Sequence, residues 1–218
     1  MSSILIIGDS HVDGTAFGIK LESKLKALGH KVTRAGVGAT SATQWLSGKA
    51  CRPKKDKCVS VESLPKGVDL LLISLGTNDA ANAGAAKKDP AAAGVKIAGQ
   101  MKELAQLFGA ARTIWIGPPW QRGGKYYSQA NMDALYDAAP QSGLELFDSR
   151  PSTKDGVIAG SGDGIHPGQK TADQWAQAVV DYLAKDTQVG PTVQTAGVGV
   201  AVAVALAIAA FLFLRRRA

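Results

Sequence analysis

A serine near the start of the chain and a histidine far downstream are residue types that together could carry out nucleophilic chemistry. Ser10 follows the apolar run 4–7 through a Gly8-Asp9 turn. Such a run is typical of a buried strand that turns into a helix. The Ser10 hydroxyl would then lie at the carboxyl end of a strand, where open α/β sheets bind their ligands. A serine needs a base to become a nucleophile, and His166 could supply one.

The elements that must position these two residues alternate between strand and helix. Apolar runs predict five strands, at residues 3–7, 30–35, 68–75, 113–116 and 144–148. Helical spacing predicts four helices: one with Phe17, Leu21, Leu25 and Leu28 that ends at Gly29, one over 90–108, one over 128–139, and a last one with Trp175, Val179 and Leu183 on one face. Strands separated by helices imply a parallel sheet with helices on both faces.

Polar loops that contain glycine follow these strands or precede the last helix. They are Gly36-Val37-Gly38, Gly76-Thr77-Asn78-Asp79 and Asp163-Gly164-Ile165-His166. Loops that follow the strands of a parallel sheet share one edge, so these segments can converge on Ser10.

In these three loops and in the Gly8-Asp9-Ser10 turn, the chain resembles the SGNH (GDSL-type) hydrolase superfamily, whose consensus blocks supply Ser, Gly, Asn and His in that order. The matching residues are Ser10 in Gly-Asp-Ser, Gly38 in Gly-Val-Gly-Ala-Thr, Asn78 in Gly-Thr-Asn-Asp and His166 in Asp-Gly-Ile-His-Pro. The resemblance spans residues 4 to about 185 and departs from the eponymous motif at His11, where Leu is common. It implies a flavodoxin-like, three-layer α/β/α fold with a five-stranded parallel sheet.

The resemblance and the chemistry together imply a serine hydrolase that cleaves esters through an acyl-enzyme. Ser10 would attack the carbonyl carbon, His166 would act as base and then as acid, and Asp163 would orient the imidazole. The oxyanion donors would be the backbone N–H groups of Ser10 and Gly38 and the side-chain amide of Asn78. No metal or other cofactor is expected.

Each of these residues also has a purely structural interpretation. Ser10 could cap a helix, Gly38 could be an ordinary turn glycine, and Asn78 with Asp79 could form a turn. Asp163 could be structural, with a backbone carbonyl orienting the histidine instead.

The residues predicted to line the substrate cleft are His11, Asp79 and Trp120, although a core or surface position suits Trp120 equally well. The hydrolase part has no long apolar lid segment that would bind a fatty chain. We therefore favour a short acyl group, above all acetyl, on a cell-wall or surface polysaccharide. One alternative is a membrane-surface lipase, lysophospholipase or thioesterase. A second is a non-catalytic glycan-binding or structural protein on the same scaffold.

Two cysteines, Cys51 and Cys58, lie in a basic loop that also contains Pro53. The proline and the charges argue against a helix or a core strand there. A local disulfide would suit an oxidising compartment, and two free thiols would suit the cytosol. A zinc site is not expected, because no second pair of ligands has the spacing of a metal site.

The C-terminal part differs sharply in composition from the rest. Residues 196–214 are all Ala, Val, Leu, Ile, Phe or Gly, and three arginines follow at 215–217. This pattern predicts a single membrane-spanning helix, with a buried core helix as the alternative. We therefore expect a hydrolase domain over 1–186, a linker over 187–195, the span over 196–214 and a basic tail over 215–218.

The charge pattern bears on partners and location. The net charge is +7, and three of those charges belong to the tail, so the remainder is too small to predict nucleic-acid binding. Arginines after the span favour an extracytoplasmic domain or one on a viral particle, anchored to the lipid bilayer. The lack of an N-terminal signal pattern fits tail-anchored insertion, with the domain in the cytoplasm. The sequence predicts no oligomeric state.

Overall fold

The computed structural model describes residues 1–54, 56–81, 84–122, 127–160 and 163–188. The predicted membrane span and basic tail lie outside these ranges, as does the predicted linker beyond residue 188. None of the helices in the described ranges combines the length and the apolar composition that a membrane crossing requires. Contacts divide the chain into Met1–Leu183, which contains the sheet, and Ala184–Ala218, of which the described part is the end of the last helix.

Seven strands form in the described ranges: β1 (Ser3–Gly8), β2 (Lys31–Gly36), β3 (Lys49–Cys51), β4 (Cys58–Ser60), β5 (Leu70–Ser74), β6 (Arg112–Ile116) and β7 (Glu145–Phe147). Five of them make one parallel sheet, in the order β2-β1-β5-β6-β7. These are the five strands that the apolar runs predict, so the predicted parallel sheet is confirmed. The strand order reverses at β1, and such a switch point is where open α/β sheets bind ligands.

The helices are α1 (Ser10–Asp13), α2 (Ala16–Ala27), α3 (Ala42–Leu46), α4 (Gly84–Lys88), α5 (Pro90–Phe108), α6 (Gln129–Ala138), α7 (Arg150–Gly160) and α8 (Gln169–Gln188). Local sequence explains where the long central ones begin. Asp89 caps α5 by accepting the Ala92 N–H at 3.0 Å, and Pro90 occupies the first turn, where its missing N–H costs nothing. Ser128 caps α6 by accepting the Asn131 N–H at 3.1 Å.

Apolar side chains leave the sheet on both faces, because alternate residues of a strand point in opposite directions. One face packs against α5 and α6 through Leu5, Ile7, Leu71, Ile73, Ile97, Met101, Leu104 and Leu135. The other packs against α2 and α8 through Ile4, Ile6, Phe17, Leu21, Trp175 and Val179. Helices therefore cover both faces, and the predicted three-layer arrangement is confirmed.

Strands β3 and β4 form a separate antiparallel hairpin outside the main sheet. Cys51 and Cys58 are directly opposite each other in this hairpin and are joined by a disulfide. The hairpin, α3, α4 and α7 are absent from the sequence-based predictions. Helix α7 contains Pro151 and Gly156, and it approaches α8 closely: a Cβ on Gly156 would lie 1.7 Å from Thr171 Oγ1.

The contact between α5 and α6 yields a prediction for stability. A Cβ on Gly94 would lie 2.3 Å from the Ala134 carbonyl oxygen, whereas one on Gly99, in the same helix, would meet nothing within 4 Å. Gly94→Ala must push the helices apart and should lower the free energy of unfolding by about 1–3 kcal/mol. Gly99→Ala should raise it by about 1 kcal/mol, because alanine is the better helix former. Urea unfolding measures both; equal effects would contradict the close approach.

Candidate active site

Ser10 begins α1, and a single residue, Asp9, separates it from the end of β1. Asp9 caps this helix, its Oδ1 accepting the His11 backbone N–H at 3.0 Å. As the first residue of a helix, Ser10 has an N–H with no partner inside the helix. Asp9 is fully buried whereas Ser10 is partly exposed. The turn therefore presents a hydroxyl, and a backbone N–H with no acceptor among the described residues, at the edge of the sheet.

His166 meets Ser10 across 156 residues of sequence. The distance from Ser10 Oγ to His166 Nε2 is 2.8 Å, and that from His166 Nδ1 to Asp163 Oδ2 is 2.5 Å. With its proton on Nδ1, the imidazole donates to Asp163 and can accept the hydroxyl proton of Ser10 at Nε2. The three residues predicted to act as a triad thus form one chain of hydrogen bonds.

The Asp163 carboxylate is held by its own loop. Its Oδ1 accepts the backbone N–H groups of Ile165 and His166, each at 2.9 Å. Partial burial acts to raise the pKa of Asp163, but hydrogen bonds from the His166 ring and from these two N–H groups outweigh it and lower the pKa to about 2. Asp163 is therefore ionised at any pH near neutrality and faces the imidazole as a charge.

Strand register brings the predicted loops beside Ser10. Gly8 of β1 pairs with Gly36 of β2 on one side and with Ser74 of β5 on the other, so three strands end at the same level. No side chain fits at position 36, because a Cβ there would lie 2.3 Å from the Asp13 backbone nitrogen. This close approach lets the loop after β2 run alongside α1.

The loop after β2 offers a different backbone donor from the one predicted. The Gly38 N–H donates to Asp13 Oδ2 at 2.9 Å and so already has an acceptor. Ala39, the next residue, is exposed and has φ +59°, the one positive φ of a non-glycine residue in the described ranges. Its N–H meets no acceptor in the described part of the chain. A left-handed alanine costs roughly 1–2 kcal/mol, and such strain concentrates at functional sites.

Asn78 lies in the loop after β5, and both of its amide hydrogens have protein acceptors. Nδ2 is 3.0 Å from the Thr40 carbonyl oxygen and 3.3 Å from Asp9 Oδ2. Burial raises the pKa of Asp9 to about 7, the neighbouring Asp79 adds to the rise, and the His11 N–H and the Asn78 amide oppose it. The Asn78 amide is thus hydrogen-bonded to the turn that contains Ser10, through the Asp9 carboxyl group, whose pKa is near neutrality.

His11 lies beneath the His166 ring instead of on the cleft surface where we expected it. It is 1% exposed, and its ring centroid is 4.9 Å from that of His166 and 5.5 Å from that of Trp175, which stacks on Phe17. Neither ring nitrogen of His11 has a partner within the described ranges. Burial, with a smaller contribution from His166, lowers its pKa to about 3. His11 therefore packs as a neutral ring.

The other two predicted cleft residues differ from each other. Asp79 Oδ1 accepts the Ala42 N–H at 2.9 Å, at the beginning of α3, and burial raises the pKa of Asp79 to about 6. Trp120 is partly exposed, and its backbone N–H donates to Thr153 Oγ1 at 2.9 Å. Asp79 thus connects α3 to the loop after β5 by a hydrogen bond, whereas part of the Trp120 side chain is accessible to solvent.

Sequence reasoning missed Tyr127. Burial raises the pKa of Tyr127, and the charges of Asp9 and Asp163 add to the rise, so this tyrosine lies within electrostatic range of both carboxyl groups. No motif contains this tyrosine, and its place depends on the path of the chain after β6.

Sequence reasoning assigned no role to Asp13, which lies three residues after Ser10. Its carboxylate accepts hydrogen bonds from Gly38 N–H, from Arg52 Nη2 at 2.7 Å and from Lys57 Nζ. The spacing from Ser10, one helical turn, was the available signal, but its partners come from a distant hairpin. Across the described ranges no three His, Cys, Asp or Glu side chains gather as the ligands of a metal would.

Comparisons with known proteins bear on the fold. No protein-family model matches this sequence, and no curated protein is detectably similar to it in sequence. Solved structures do match. A carbohydrate acetylesterase from Sinorhizobium meliloti superimposes with a TM-score of 0.56 at 18% identity, over 85% of this chain and 99% of that one. A catalytic mutant of an acetylxylan esterase from Geobacillus stearothermophilus gives 0.57 at 14% identity, over 83% and 93%.

A putative GDSL-like lipase from Parabacteroides merdae also matches, with a TM-score of 0.52 at 16% identity, over 82% of this chain and 95% of that one. The described activities of these neighbours are those of ester hydrolases, in agreement with the class predicted from the motifs. The similarity covers nearly the whole of each neighbour. The chain has the fold of the SGNH (GDSL-type) hydrolases.

Proposed function

We propose that this protein is a serine esterase that removes short acyl groups, above all acetyl, from a carbohydrate. The observation that carries the proposal is the hydrogen-bonded series Ser10–His166–Asp163, with distances of 2.8 and 2.5 Å. A serine hydroxyl in contact with a neutral imidazole that is itself oriented by a carboxylate is the arrangement that activates serine for attack.

The proposed reaction proceeds in two halves. Ser10 Oγ attacks the ester carbonyl carbon while His166 Nε2 takes the hydroxyl proton, and the imidazolium then protonates the departing alcohol. Water attacks the acyl-enzyme with the same imidazole as base, which releases the carboxylic acid and restores Ser10. Asp163, charged throughout, stabilises the imidazolium at 2.5 Å.

In this mechanism the tetrahedral oxyanion forms at the edge where β1, β2 and β5 end. The donors we assign are the Ser10 N–H, the Asn78 amide and, in place of Gly38, the Ala39 N–H. Gly38 is committed to Asp13, whereas Ala39 is exposed and its N–H is uncommitted within the described ranges. The Asn78 amide would exchange its longer bond, the one of 3.3 Å to Asp9, for the oxyanion.

The substrate class is supported by the neighbours and by the site. Two of the structures described above are a carbohydrate acetylesterase and an acetylxylan esterase. Ser10 and His166 are both partly exposed, which suits a polymer that reaches the nucleophile from solvent. The competing classes, a lipid esterase or thioesterase and a non-catalytic glycan binder, become outcomes of the experiment below.

Ser10→Ala should abolish ester hydrolysis and leave the fold intact, because it removes one hydroxyl from a partly exposed site. We would measure acetate release by the full chain from a chromogenic acetate ester and from O-acetylated xylan, and compare circular dichroism of both proteins. Serine-dependent release from xylan supports the proposal in full. Turnover of the small ester alone redirects the search to lipids and thioesters. Glycan binding without turnover would support the binding protein.

Asn78→Ala should lower kcat by ~10²–10³-fold with a small change in KM, since an oxyanion donor acts in the transition state. The residual rate of Ser10→Ala sets the background, and steady-state kinetics on the chromogenic ester give both parameters. A raised KM at unchanged kcat would mean that Asn78 binds the ground state or only holds its loop.

Burial of Asp9 should couple folding to pH. Its pKa is raised from 3.8 to about 7, so between these values the folded state binds the proton more tightly than the unfolded state, and stability falls as pH rises. Asp9→Asn removes the titrating group and replaces it with a side chain of the same size and shape. The unfolding free energy of the unmodified protein, minus that of Asp9→Asn, should therefore decrease from about pH 4 to pH 7, each pKa unit being worth about 1.4 kcal/mol. A difference independent of pH would refute the raised pKa.

A further inference from the structure

The Asp13 side chain connects three separate segments. It ends α1, only 5% of its side chain is exposed, and its two oxygens accept hydrogen bonds from Gly38 N–H, Arg52 Nη2 and Lys57 Nζ. A carboxylate enclosed to this degree needs compensating donors, and the triad uses none of these contacts. Asp13 and its three donors can therefore influence the geometry around Ser10 although none of them belongs to the triad.

The loop that Asp13 holds also contains Ala39, whose N–H has no acceptor among the described residues. Gly38 directly precedes Ala39, and Val37 N–H is bonded to the Gly8 carbonyl oxygen at 3.0 Å, so the loop is fixed up to Gly38 by two hydrogen bonds. Only the dihedral angles of Gly38 separate the anchored N–H from that of Ala39. The direction of the Ala39 N–H therefore depends on how firmly Asp13 holds Gly38.

The cations that hold Asp13 are presented by the disulfide hairpin. Arg52 and Lys57 come immediately inside Cys51 and Cys58, and the Arg52 N–H donates to the Lys57 carbonyl oxygen at 3.0 Å. An isolated two-stranded hairpin is marginally stable, so the covalent link keeps both cations at their positions. Their side chains are 41% and 42% exposed, so each ion pair alone is weak, and the pair acts together on one enclosed carboxylate.

We infer that Asp13 is a positioning residue of the proposed esterase: braced by Arg52 and Lys57 of the disulfide hairpin, it holds Gly38 so that the Ala39 N–H faces the oxyanion. This inference rests on the proposed function. Burial acts to raise the pKa of Asp13, but Lys57, Arg52 and the Gly38 N–H outweigh it, so the carboxylate remains charged in this cluster.

The test compares Asp13→Asn with Lys54→Met, an exposed cation of the same hairpin that has no role in the cluster. Asp13→Asn turns an acceptor oxygen into an NH₂ group that opposes the two cations. Its kcat on the chromogenic ester should fall about tenfold or more, with KM changed less than about twofold. The reason is that an oxyanion donor raises kcat by a factor of ~10²–10³, and a displaced donor loses part of that factor. Arg52→Lys, which keeps a cation, should lie between this variant and the unmodified protein, and Lys54→Met should not change kcat.

A second readout does not depend on turnover. Amide hydrogen exchange of Gly38 should be slow in the unmodified protein and in Lys54→Met, and faster in Asp13→Asn. Reduction of the disulfide should move both kcat and this exchange rate in the same direction as Asp13→Asn.

The outcomes separate the two proposals. Ser10-dependent hydrolysis by the unmodified protein, together with unchanged kcat and Gly38 exchange in Asp13→Asn, would overturn the positioning role alone. Loss of kcat with unchanged exchange would also overturn it, since the loop would not have moved. Absence of Ser10-dependent hydrolysis in the unmodified protein would overturn the proposed function and this inference with it.

Discussion

The turn from β1 into α1 is the constraint on which the rest of the site depends. Within one helical turn, Asp9 is buried and caps the helix, Ser10 faces His166, His11 packs beneath the same ring, and Asp13 faces the loop after β2. Helical geometry fixes these four directions relative to one another. A shift of this turn would therefore disturb the nucleophile, its base and the oxyanion loop together.

Burial gives the charges around this turn their different behaviours. Asp163, which is exposed and accepts hydrogen bonds from three N–H donors, has a pKa of about 2, whereas the buried Asp9 has a pKa of about 7. His11, buried among rings, has a pKa of about 3 and stays neutral beside His166. A second cation at His11 would oppose the imidazolium that the proposed reaction forms, so the burial of His11 favours the proposed chemistry as well as the packing.

The fold and the site rest on different kinds of observation. Structural neighbours at 14–18% identity establish the architecture of this chain, and their described activities agree with an ester hydrolase. The assignment of individual residues comes from distances within this chain, above all the contact between Ser10 and His166. Two features of the structure change the roles that the sequence motifs suggest. The Gly38 N–H, a predicted oxyanion donor, already donates to Asp13, and His11, a predicted cleft residue, is buried.

Sequence by itself predicted the five strands of the sheet, the helices α2, α5, α6 and α8, and the four loops that meet at the sheet's edge. These features follow from apolar periodicity and capping residues, which act over a few neighbouring positions. The sequence singled out Ser10, His166 and Asp163 for the same reason: their segments have local signatures. Only the tertiary structure decided that the N–H of Gly38 has an acceptor whereas that of Ala39 has none in the described part of the chain, that His11 packs against His166, and that Arg52 and Lys57 bind Asp13. Those facts depend on which groups meet after the chain has closed on itself, and hydrogen-bond partners 25 to 156 residues apart leave no periodic trace in the sequence.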